Sequence, residues 1–130
     1  MSKILVVEND PETLDMITLM LERKGYEVLV ARNGIEGVRV ACDGNPDLIV
    51  TDYRMPQLDG VEMIKELRSM QNCASVPILV VTAESIELAK EAIKAGADRA
   101  LAKPFTPDVL QAFIEDLLGG SRHISDAETQ

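Results

Sequence analysis

Five polar residues stand at the ends of short apolar runs, and their types suit the handling of a phosphoryl group. Glu8 closes "KILVVE" (3–8) with Asn9 just after it, Asp52 closes "DLIVTD" (47–52), Thr82 closes "PILVVT" (77–82) and Lys103 closes "RALAK" (99–103). Clustered carboxylates bind a hard divalent cation, and Mg²⁺ takes one or two protein carboxylates together with water and phosphate oxygens. A lysine beside them adds a point charge for phosphate, and a threonine hydroxyl can donate to a phosphoryl oxygen. Taken singly, Glu8 and Asp52 read as solvated strand termini, Thr82 as a turn residue and Lys103 as a surface lysine before a proline. Their shared placement turns these separate readings into one phosphoryl-handling site.

That placement depends on the elements between. The four runs above and "YEVLVA" (26–31) are continuously apolar or nearly so, the pattern of parallel strands covered on both faces. Between the first two, Leu14, Ile17 and Leu21 recur at helical spacing beside Met16 and Met20, and Gly25 supplies a stop. Weaker helical patterns run over about 34–43, 60–71 and 86–95, the last ending at Gly96. A fifth helix opens with Thr106 as N-cap and Pro107 at its first position. Strand and helix alternate five times, which predicts right-handed crossovers and a doubly wound parallel α/β sheet. In such sheets ligands bind beyond the carboxyl ends of the strands, where the five polar residues fall.

Bulk properties narrow the function further. A chain of 130 residues suits one domain, placed at 1–118, with the polar, Gly-led "GGSRHISDAETQ" (119–130) as a tail or the start of a linker. The net charge of −9 comes with no basic stripe, so direct nucleic-acid binding is not expected and a protein partner or a cation is. No apolar run approaches the roughly 20 residues that span a bilayer, so no membrane association is expected. "MSKILVV" lacks a small-residue cleavage site, and Cys42 and Cys73 are too few for a disulfide framework; both features suit a cytoplasmic protein. His123, the one histidine, sits in the tail and reads as solvated.

"ILVVEND", "DLIVTDYRMPQLDG", "ILVVTAE" and "ALAKPF", in this order and spacing, resemble the receiver domain of two-component response regulators, including single-domain chemotaxis regulators, over residues 3–118. The resemblance implies a flavodoxin-like (βα)5 fold with strand order 2-1-3-4-5. It implies that Asp52 takes a phosphoryl group from the phosphohistidine of a sensor histidine kinase or phosphotransfer protein in a Mg²⁺-dependent reaction. Glu8, Asn9, Asp52 and the backbone carbonyl of Arg54 then fall at the metal positions, and Thr82 and Lys103 at those of the switch hydroxyl and the phosphate-binding lysine. A downstream protein target is implied too, as is a cis bond between Lys103 and Pro104. The resemblance implies, finally, a phosphoacceptor signalling domain that promotes its own phosphorylation and dephosphorylation and is not otherwise an enzyme.

Two positions depart from the family pattern. Asn9 stands where most relatives carry a second acid, which predicts a site of preserved shape and lower cation affinity. Ala100 stands where an aromatic often acts as a rotameric switch, so coupling is expected through Thr82, the loop after it and the helix at 86–95, whose few large apolar residues predict weak anchoring. Asp10 before Pro11 reads as the N-cap of the first helix. Met55, Pro56 and Gly60 shape the loop after Asp52, with Gly60 expected to be free for positive φ. Arg54 and Glu84, each two residues beyond a strand-end functional residue, are expected to approach at the rim and screen an acyl phosphate from water. A receiver-like module that binds its partner without phosphorylation is the alternative that Asn9 keeps open. An aspartyl-phosphate phosphatase would want an acid where Arg54 stands.

Overall fold

The computed structural model describes residues 2–53, 59–82 and 86–119, with Ile86 as backbone only. Five strands and five helices alternate: β1 (Lys3–Val7), α1 (Pro11–Arg23), β2 (Glu27–Ala31), α2 (Gly34–Gly44), β3 (Leu48–Asp52), α3 (Gly60–Ser69), β4 (Ile78–Thr82), α4 (Ile86–Ala95), β5 (Arg99–Ala102) and α5 (Pro107–Leu118). All strand pairs are parallel, in the order β2-β1-β3-β4-β5.

The two-sided sheet explains the unbroken apolar runs. Successive strand residues point to opposite faces, so Ile4, Val6, Leu48, Val50, Leu79 and Val81 pack with α1 and α5. Leu5, Val7, Ile49, Ile78 and Val80 pack on the other side with residues of α2, α3 and α4. Neither face has room for a polar alternation.

Local signals set the helix starts. Asp10 accepts from the Thr13 N–H at 3.0 Å and caps α1, as its place before Pro11 predicts. Asn33, Asp59 and Thr106 cap α2, α3 and α5 in the same manner. Gly25 and Gly96 follow α1 and α4 at φ 94° and 128°, a region L side chains avoid. The third helix is shorter than the 60–71 expected: it stops at Ser69, and a 3₁₀ turn at Gln71–Cys73 carries the chain toward β4. Arg68 holds that end together. Its guanidinium donates to the carbonyls of Cys73, Val76 and Gly96 and meets Asp98 at 3.0 Å.

Among the described residues, α4 is the least anchored helix for its length. Ala92 is buried and Leu88 half-buried, but Ile93 is 44% exposed. No described helix is long and apolar enough to cross a membrane.

Candidate functional site

The carboxyl ends of β1, β3, β4 and β5 meet at one rim. Glu8 is the first residue past β1, and its N–H donates to Ala31 O at 3.0 Å, extending the β1–β2 ladder by one bond. That position buries the side chain, only 3% exposed, so Glu8 is no solvated strand end. One carboxylate oxygen accepts from the Asp10 N–H at 3.0 Å. Burial pushes the Glu8 pKa up, and Asp52 adds to the rise, while the Asp10 N–H and Lys103 oppose it.

Asp52 closes β3, and its two oxygens have different partners. Oδ1 accepts from the Tyr53 N–H at 2.9 Å, and Oδ2 lies 3.5 Å from Lys103 Nζ. The same ammonium is 3.7 Å from Glu8 Oε1. These separations are too long for good hydrogen bonds, so the ammonium acts as a shared counter-charge. Thr82 closes β4 and is buried beside Ala102, and the Lys103 N–H donates to its carbonyl at 2.8 Å. That bond sets where Lys103 leaves the sheet. The following Lys103–Pro104 bond is cis.

Asn9 is exposed at the same rim. Its neighbours supply the local hydrogen bonds, Glu8 taking the Asp10 N–H and Asp10 taking Thr13, and among the described residues the Asn9 amide bonds to nothing. Arg54, Glu84, Met55 and Pro56 lie outside the described residues, as does His123. Gly60 corrects one expectation: it is not among the positive-φ residues but opens α3. What requires glycine is close approach, because a Cβ there would lie 2.7 Å from Tyr53 O, which accepts from the Gly60 N–H.

Sequence reasoning missed Tyr53. It is buried, its N–H also donates to Val81 O at 3.1 Å, and its hydroxyl donates to Glu91 Oε1 of α4 at 2.6 Å. An aromatic directly after a strand-end aspartate, in a chain with two tyrosines, was the available signal.

The donor set fits Mg²⁺. Glu8 and Asp52 offer hard oxygens from two strands to one cationic point now served by Lys103, and Mg²⁺ needs no more than two carboxylates. Among the described residues no group of three or more His, Cys, Asp or Glu side chains is gathered to hold a metal.

Strand order and rim together define an α/β protein of the flavodoxin-like class, with its chemistry at the strand ends. The chain belongs to the response regulator receiver domain family, whose model matches residues 4–115. It is therefore a receiver domain of two-component systems, a phosphoacceptor signalling domain. It is 39% identical over 117 residues to the alkaline phosphatase synthesis transcriptional regulatory protein PhoP of Bacillus subtilis, covering 89% of this chain and 48% of that protein. It is 39% identical over 130 residues to the transcriptional regulatory protein PrrA of Mycobacterium tuberculosis, covering 98% of this chain and 55% of that protein. The chain thus spans about half the length of these curated relatives. Among solved structures, the receiver domain of a sensor histidine kinase from Pseudomonas aeruginosa PAO1, with a magnesium ion coordinated in its active site cleft, matches at TM-score 0.85 and 36% identity over 91% of this chain and 98% of that one. The chemotaxis response regulator CheY4 of Vibrio cholerae matches at TM-score 0.86 and 33% identity over 90% and 98%.

Proposed function

We propose that this domain accepts a phosphoryl group on Asp52 from the phosphohistidine of a sensor histidine kinase or phosphotransfer protein, and thereby changes its binding to a downstream protein. The observation that carries the proposal is Lys103 Nζ, within 3.5 and 3.7 Å of the Asp52 and Glu8 carboxylates. Phosphoryl transfer asks a protein for alignment and charge neutralisation more than for covalent work. An Asp52 oxygen forms the new O–P bond as the P–N bond to the donor imidazole breaks, and the electron pair leaves with the imidazole. Lys103 offsets the charge on the transferred group, and the Tyr53 N–H fixes the carboxylate plane. Glu8, Asp52, the Asn9 amide and the Arg54 carbonyl would hold Mg²⁺, which when bound supplies divalent charge that draws in phosphate oxygens. Afterwards the Thr82 hydroxyl turns toward the new dianion, which converts a local charge into a conformational change.

The same groups serve hydrolysis by water, so the domain limits its own phosphorylated lifetime; Arg54 and Glu84 screen the acyl phosphate, and alanine at either should hasten its loss. The unit is residues 1–118, with 119–130 as tail or linker, working in the cytoplasm without direct nucleic-acid or membrane contact. Incubation with Mg²⁺ and a small-molecule phosphodonor, read by intact mass, tests the proposal. One added phosphoryl group supports it. No adduct over a wide Mg²⁺ range favours the second reading, a receiver-like module that binds without phosphorylation, for which the neutral Asn9 speaks.

A further inference from the structure

Tyr53 joins the acceptor carboxylate to a helix on the molecule's flank. Its backbone N–H holds Asp52 Oδ1 at 2.9 Å, and its hydroxyl reaches Glu91 Oε1 at 2.6 Å, across a gap of 38 residues in sequence. The ring between is buried in the core with Met63, Ile64 and Ala92. The backbone is pinned on both sides, by Val81 O on its N–H and by the Gly60 N–H on its carbonyl. A buried ring with a fixed backbone and a polar tip on Glu91 is a stiff link to α4.

That link meets α4, the helix with least to hold it among the described residues. Apart from Ala92 and the half-buried Leu88, the described α4 side chains from Glu87 onward offer little apolar anchorage: Ile93 is 44% exposed, and Glu87, Lys90, Glu91 and Lys94 are exposed. A tyrosine-to-carboxylate bond is charge-assisted and stronger than a neutral one, so it is a substantial part of what positions α4.

We propose that the Tyr53–Glu91 hydrogen bond is the connection by which the state of Asp52 reaches α4, with Tyr53 as a positioning residue. The inference rests on Asp52 being the phosphoacceptor. When Asp52 becomes an acyl phosphate, its oxygens lose their share of a full carboxylate charge, and the Tyr53 N–H loses a charge-assisted acceptor. The Tyr53 backbone then settles differently against Val81 O, and the rigid ring carries that displacement to Glu91. Alpha-4 is released or re-seated as a unit.

Hydrogen exchange of α4 amides tests this, with and without Mg²⁺ and phosphodonor, and with intact mass as the control for occupancy. Glu91 is on the surface, so Glu91→Ala leaves the core intact, while Tyr53→Phe keeps the ring and removes the hydroxyl. In the wild type, α4 exchange should change on phosphorylation. In Tyr53→Phe and Glu91→Ala it should be faster beforehand by about fivefold, as for the loss of one hydrogen bond, and no longer respond, although Asp52 is still phosphorylated. Glu91→Gln, which retains an acceptor oxygen, should restore the response. A response in Tyr53→Phe or Glu91→Ala equal to the wild type overturns the proposal, as does a phosphorylated wild type whose α4 is unchanged. An absence of adduct in the wild type overturns the phosphoacceptor reading beneath it, and mass distinguishes that failure from the other two.

Discussion

Replacing Glu8 by glutamine takes one charge from the rim and leaves its shape. The carboxylate is buried, and burial comes first among the influences that raise its pKa, with Asp52 adding to it and the Asp10 N–H and Lys103 resisting. Attraction to Lys103 at 3.7 Å is worth about 4 to 5 kcal/mol before screening at an effective dielectric of about 20. Taking a carboxylate out of water costs several kcal/mol by itself, and the upward pKa shows that cost and repulsion prevail. Because the folded pKa lies above the unfolded one, ionised Glu8 burdens the metal-free fold at neutral pH. The burden shrinks as pH falls through the folded value and is gone below the unfolded one. Glutamine keeps an oxygen for the Asp10 N–H. Glu8→Gln should therefore be the more stable protein without divalent cation at neutral pH, by on the order of 1 kcal/mol, the scale of an unbalanced buried polar group. The gap should close as pH falls toward the ordinary glutamate range. With Mg²⁺ at about 100 times its Kd the wild type gains about 2.7 kcal/mol, and the variant should gain little. Urea unfolding followed by circular dichroism, with and without Mg²⁺ across pH, measures both. A variant less stable than wild type without metal would refute the reasoning on burial, and an equal gain from Mg²⁺ would remove Glu8 from the cation site.

Asn9→Asp should bind Mg²⁺ more tightly than the wild type and be less stable without it, because two carboxylates about 5 Å apart repel by on the order of 3 kcal/mol at an effective dielectric of about 20; a Mg²⁺ titration that gives equal affinities would deny the neutral residue an electrostatic role. Lys103→Met should leave Glu8 and Asp52 without their shared counter-charge, lowering metal-free stability, strengthening Mg²⁺ binding through loss of a competing cation and slowing phosphorylation; weaker Mg²⁺ binding would contradict the arrangement. Arg68→Ala, far from the rim, should cost about 3 kcal/mol in urea unfolding, since it strips the Gly96, Cys73 and Val76 carbonyls and Asp98 of a common donor, while Mg²⁺ affinity stays as in the wild type.

The strands were legible because burial on both faces leaves a plain signature in the chain: five short apolar runs, four of them ending in a polar residue. Observed strands start or stop at most one residue inside the expected runs, and the difference has meaning at Glu8 and Lys103, which stand just beyond β1 and β5 and so can bend toward Asp52. Caps were legible where a short polar residue precedes proline, at Asp10 and Thr106. The convergence of Glu8, Asp52 and Lys103 was legible from strand ends, but not the sharing of one ammonium, which depends on side-chain reach. Gly60 was assigned the wrong virtue, since sequence marks a glycine without saying whether φ or space demands it. Tyr53 escaped because its partner is on α4, 38 residues away, and no local pattern encodes that distance. The end of α3 was misjudged for a related reason: Arg68 reaches past Ser69 to carbonyls on other elements, a tertiary demand that cuts the helix short.

The most direct test of the central claim is intact mass of wild type and Asp52→Asn after equal exposure to Mg²⁺ and a small-molecule phosphodonor. The account predicts a single phosphoryl adduct on the wild type, labile to hydroxylamine as an acyl phosphate is, and none on the variant. An adduct on Asp52→Asn formed at the wild-type rate would contradict it.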